Sequence, residues 1–136
     1  MLKRSVSRAV VVVLVALLSQ ISVAEGKQPF TQAVFEKLQA DNKVVLVDVF
    51  ADWCSTCAKQ KKVIQSYLDK HPERELHILE VNFDEQKEVV KQFRAPRQST
   101  LLLYKGLDQF WYSVAETREE IVTAEIEKAF DFKPKR

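Results

Sequence analysis

The chain has 136 residues, enough for one ordinary domain and no more, with 21 basic residues, 19 acidic residues and two cysteines. Its formal charge of +2 is no nucleic-acid signature: three basic residues sit at the extreme N-terminus, leaving 18 basic against 19 acidic, and no basic patch carries interleaved aromatics. A domain of this size can bury a real core without staples, so stability alone does not explain the cysteines.

Lys3, Arg4 and Arg8 form a basic start, Ala9 to Leu18 is apolar, and Ser22-Val23-Ala24 places small residues where a signal peptidase reads. Ser19, Gln20 and Ser22 interrupt the apolar run well short of the roughly 20 residues that span a membrane. This favours a cleaved signal peptide over residues 1–24 rather than a retained anchor, and a periplasmic or secreted domain over 25–136. The residue immediately after the cleavage position is Glu25 and not cysteine, which argues against a lipid-anchored form.

Residues 25–29 read as a loose lead-in. Phe30, Val34, Phe35 and Leu38 recur at helical spacing and predict a helix over 31–40, which Asp41-Asn42 ends. KVVLVDVF, residues 43–50, is too apolar for a half-exposed strand and predicts a central one covered on both faces. After a turn at Ala51-Asp52-Trp53, a helix is expected from Cys54 or Ser55 to Lys70. Val63, Ile64, Tyr67 and Leu68 should face inward, with Lys59, Lys61 and Lys62 in water, and His71-Pro72 is its stop. Leu76 to Phe83 suggests a second strand, 84–93 a short helix, and 94–99 a loop. TLLLYKG and residues 109–114 form a hairpin. Thr117-Arg118-Glu119-Glu120 matches a capping box for a last helix ending near Phe130. The whole is an α/β three-layer sandwich, a central mixed sheet flanked by helices.

The chemistry concentrates in VDVFADWCSTC. Where a buried strand turns into a helix, a cysteine meets unpaired backbone N–H groups and the positive end of the helix dipole, which favour its thiolate. Cys54, set at an exposed helix tip, is therefore the expected nucleophile, and Cys57, one turn on, the resolving thiol. Trp53 would shield the pair and offer a partner an apolar platform. Asp48, a lone carboxylate inside a buried strand, is costly unless it has a task. Burial should raise its pKa and suit it to proton transfer with Cys57; the alternative is a strand-end acid bonded to loop backbone.

Residues 44–57 resemble the active-site segment of the thioredoxin superfamily, and ADWCxxC is similar to the periplasmic thioredoxin-like domain of the bacterial Dsb membrane thiol reductase. VNFDEQ at 81–86 and TLLLYKG at 100–106 extend the resemblance over nearly the whole mature chain. It implies a thioredoxin-like fold and a dithiol cycling against protein disulfides, with the nucleophile, resolving thiol and buried acid falling on Cys54, Cys57 and Asp48. No cofactor beyond a redox-active Cys54–Cys57 disulfide is implied. Two positions depart from the family pattern. Where the family has a cis-proline beside the sulfurs, ungapped counting finds Ser99, with Thr100 next to it in the substrate groove; Pro96, three residues earlier, is the alternative. Where a lysine is common near the buried acid stands Glu80, which either shares a proton with Asp48 or points to solvent.

Ser55-Thr56 puts no positive charge between the cysteines, which favours a reductase or isomerase over a primary oxidant. The expected partners are protein disulfides and a membrane thiol reductase as electron donor, with no nucleic acid, and the chain is expected to be monomeric. A second hypothesis is a copper or other thiophilic metal carrier using the sulfur pair, and a third a redox-inactive adaptor. His71 and His77 are far from the pair in sequence and read as surface or strand residues.

Overall fold

The computed structural model describes residues 26–133. The expected leader, residues 1–24, lies outside them. The elements follow the order β1 (Gly26–Pro29), α1 (Gln32–Ala40), β2 (Val44–Phe50), α2 (Ser55–Lys70), β3 (Leu76–Asn82), α3 (Lys87–Gln92), β4 (Thr100–Lys105), β5 (Asp108–Val114) and α4 (Glu119–Asp131). One five-stranded sheet has the order β1-β3-β2-β4-β5. Strand β2 runs parallel to β3 and antiparallel to β4, so the sheet is mixed and β2 is central, as its apolar run implies.

Successive residues of a strand face opposite sides, and β2 divides its side chains accordingly. Val45, Val47 and Val49 enter one core layer with Phe35 and Leu38 of α1 and Val90 of α3. An aromatic group closes that layer: Phe35 meets Phe93 and Tyr104 edge-on, at centroid separations of 5.4 and 5.2 Å, the geometry the ring quadrupole prefers. Val44 and Leu46 enter the other layer with Ile64 and Tyr67 of α2 and Val122 and Ile126 of α4. Asp48 has the same parity as these two, so it lies on the α2 side of the sheet.

Three expectations need correction. The lead-in is partly a strand: Gly26–Pro29 pairs in parallel with His77–Glu80. A four-residue edge strand gains its order from backbone pairing, so side-chain alternation carries little trace of it. The third helix begins at Lys87 rather than Asp84, because Asn82 Oδ1 accepts from the backbone N–H groups of Asp84 and Glu85 and holds them in a turn. The capping box does not form. Arg118 is the N-cap of α4, without a side-chain cap bond, and Glu116 accepts from the backbone N–H groups of Thr117 and Arg118 instead, at 3.0 and 2.9 Å.

Candidate active site

Cys54 is the N-cap of α2, with extended backbone at φ −88° and ψ 108°. Its Sγ accepts a hydrogen bond from the backbone N–H of Cys57 at 3.1 Å. Cys54 and Cys57 are joined as a disulfide across a Cα separation of 5.3 Å. The strand-to-helix turn thus delivers what the sequence implies, a sulfur held by the unpaired N–H groups of a first helical turn. After reduction the same N–H and the helix dipole stabilise negative charge on that sulfur. Cys54 is less open than the expected exposed tip, however. It is only 6 % exposed, packed with Ala51 and Cys57 against Phe50 and Phe83.

Trp53, beside it, is 66 % exposed. Its indole N–H donates to Asp84 Oδ2 at 2.7 Å, so a large apolar surface is tethered at the rim of the disulfide and left uncovered. Lys87 lies over the Phe83 ring, 4.4 Å from its centroid.

Asp48 is 2 % exposed, and its Oδ1 is buried with no hydrogen-bond partner. The strand-end alternative, an acid satisfied by loop backbone, does not account for that orphaned oxygen. Burial lifts the carboxyl from 3.8 to about 7; Glu80 adds to the rise, and Lys61 and Lys27 oppose it. A carboxyl titrating there can hold or release a proton near neutrality. Glu80 is its register neighbour on β3 and therefore shares its face. The Glu80 carboxylate stands 3.8 Å from Lys61 Nζ, on the rim of an open groove lined also by Pro29, Phe50, Asn82, Glu85 and Gln86. Glu80 thus bears on Asp48 through its charge while its side chain stays partly open to solvent. Lys61, expected simply to face water, is half-buried, one turn beyond Cys57 and 4.2 Å from the centroid of the Phe50 ring.

Ser99 has φ 59°, and no peptide bond among the described residues is cis, whether at Ser99 or at Pro96. Both Ser99 and Thr100 are fully buried. Their hydroxyls donate to Gln98 O and Arg97 O, at 2.6 and 2.7 Å, so neither is available to a partner. The expected groove is therefore not lined by these two side chains: Ser99 and Thr100 are buried, while the preceding Arg97 is exposed and Gln98 half-buried.

Gln60 escaped the sequence reading. It lies three residues after Cys57 on the inward face of α2, fully buried, and its carboxamide N–H groups donate to Ser99 O and Glu116 O. The spacing Cys57, Gln60, Ile64, Tyr67 carries a helical signal, masked by the lysines around it. Among the described residues, no group of three or more His, Cys, Asp or Glu is placed to hold a metal ion. Cys54 and Cys57 thus gather no third such ligand among the described residues.

The family model for thioredoxin matches residues 26–128. A thioredoxin of Alicyclobacillus acidocaldarius subsp. acidocaldarius is 33% identical over 76 residues, 56% of this chain and 71% of that protein. Thioredoxin-1 of Saccharomyces cerevisiae is 31% identical over 76 residues, 56% and 72% of the two chains. Among solved structures, Trxlp from Edwardsiella tarda EIB202 superposes with a TM-score of 0.70 at 36% identity, over 74% of this chain and 98% of its own.

Proposed function

The chain belongs to the thioredoxin family and is a thiol–disulfide oxidoreductase, and on that premise we propose that it is an exported reductase of protein disulfides. The observation that carries the reading is the Cys54 sulfur at the cap of α2, accepting from the Cys57 N–H and bonded to Cys57. In the reduced protein, the Cys54 thiolate attacks one sulfur of a partner's disulfide. A mixed disulfide forms and the partner's other sulfur leaves as thiolate. Cys57, deprotonated by Asp48, then attacks Cys54 Sγ, which breaks the mixed disulfide and regenerates the Cys54–Cys57 bond. The proton held by Asp48 passes to the departing thiolate, and two electrons have moved to the partner.

Ser55 and Thr56 support the reducing direction, because they place no cation between the cysteines to favour the reduced pair. Return to the dithiol requires a dithiol donor, which we assign to a membrane thiol reductase of the Dsb type on the strength of the ADWCxxC segment. Export rests on the basic start, apolar run and small-residue site at Ala24. The test is dithiothreitol-driven reduction of insulin by the 25–136 chain. Wild type should accelerate it and Cys54→Ser should not; a wild type no faster than the mutant ends the proposal. Intact mass of the protein recovered from the cell exterior should begin at residue 25.

A further inference from the structure

Gln60 has no part in the exchange steps above, yet it is a fully buried carboxamide at the redox pair's own helix face. Burying an amide is unfavourable unless its hydrogen bonds are made, and Gln60 Nε2 makes two, to Ser99 O at 3.2 Å and Glu116 O at 3.0 Å. Its Oε1 is buried without a partner, so one end of the amide is left unsatisfied to place the other. The Ser99 carbonyl it grips also accepts from Ala115 N at 2.8 Å. Ser99 and Ala115 both hold left-handed backbone, at φ 59° and 61°, a conformation that costs a non-glycine residue and persists where surroundings enforce it. At its far end the 94–99 loop is fastened by Ala95 N donating to Val90 O and Tyr112 OH donating to Arg94 O. Neither of those ties reaches α2. Gln60 ties this loop directly to the helix that carries Cys57.

We propose that Gln60 is a positioning residue for protein-disulfide exchange, its buried carboxamide locking the Ser99 loop onto α2 at the end of the sheet where Thr100 pairs with Val49 and β2 runs on toward Cys54. This deepens the reductase reading and rests on it. The proposal has a protein substrate touching that loop while its sulfur meets Cys54, whereas a small disulfide needs only the sulfur. Loosening the loop should therefore weaken protein binding more than chemistry at the sulfur.

Gln60→Met keeps length and removes the donors. In insulin reduction it should raise KM about tenfold, the worth of one well-placed hydrogen bond, with kcat changed by no more than about twofold. Toward hydroxyethyl disulfide its rate should fall no more than about threefold, by the same scale. Combined with Ser99→Gly, which loosens the loop from its own side, the effect on insulin KM should be less than additive. Equal losses toward both substrates, an unaltered insulin KM, or strict additivity would overturn the proposal. Should Gln60→Met not fold, Ser99→Gly alone must show the insulin-selective rise in KM, and an equal loss on both substrates counts against the link. A wild type inactive toward insulin instead removes the underlying reductase reading, before any variant is compared.

Discussion

Replacing Asp48 by Asn removes the charge at nearly constant volume, and the consequence should appear as a pH dependence of stability. Folding moves this carboxyl from 3.8 to about 7, so the native state binds its proton more tightly than the unfolded chain does. The penalty is absent below the unfolded pKa, grows as pH rises, and is complete above about 7. Wild-type stability is thus lost with rising pH, the reverse of a salt-bridged aspartate. At about 1.4 kcal/mol per pH unit, the full penalty is roughly 4 kcal/mol, of which about 1.5 kcal/mol is already present at pH 5. The stability of Asp48→Asn relative to wild type should therefore improve by about 2.5 kcal/mol between pH 5 and pH 9. Whatever the asparagine amide itself costs in that pocket is independent of pH and cancels in the comparison. Guanidinium unfolding of both proteins at pH 5, 7 and 9, disulfide intact, measures this difference directly. A gap that stays level across the three pH values would refute the buried, proton-holding carboxyl.

The charges around Asp48 should shift it in opposite senses: Glu80→Gln lowers its pKa and Lys61→Ala raises it, readable from the carboxyl carbon by NMR titration, and a reversed order would contradict the face shared by all three. Cys57→Ser should trap Cys54 in a mixed disulfide with a protein substrate, visible as a stable adduct on non-reducing gels; rapid turnover without an adduct would remove Cys57 from the resolving role. Ser99→Pro should cost about 3 kcal/mol or more, because the ring locks φ near −65° where the chain holds 59°. Ser99→Gly should stay within about 1 kcal/mol of wild type, its ease at positive φ offsetting its greater freedom when unfolded. Equal stability of the proline variant and wild type in urea would sink that account.

Much of this molecule is legible in its sequence because apolar periodicity and burial are the same fact seen twice. The run at 44–50 declares a strand covered on both sides, and Asp48 stands out within it because a charge there is expensive. What escapes has a different physical origin. Gly26–Pro29 is ordered by backbone pairing, which leaves little mark on side chains. Gln60 is polar among polar neighbours, and only its spacing from Cys57, Ile64 and Tyr67 sets it apart. The capping box at 117–120 is locally satisfactory, but Glu116, one residue earlier, captures the Thr117 N–H that Glu120 would have bonded, and takes the backbone N–H and guanidinium of Arg118 as well. Thr100 reads as a groove residue until its hydroxyl is seen turned to Arg97 O.

The two ends of the sheet are unequally guarded. Beyond β1 the ladder stops after four residues at Pro29, whose ring offers no donor to a newcomer. The opposite edge is β5 itself, seven residues from Asp108 to Val114, rich in aromatic side chains and free of proline and lysine, with Tyr112 and Val114 exposed. Such a margin is a template for another extended chain. Concentrated or partly melted protein should therefore self-associate from the β5 side, and a single lysine placed at Val114 would blunt it.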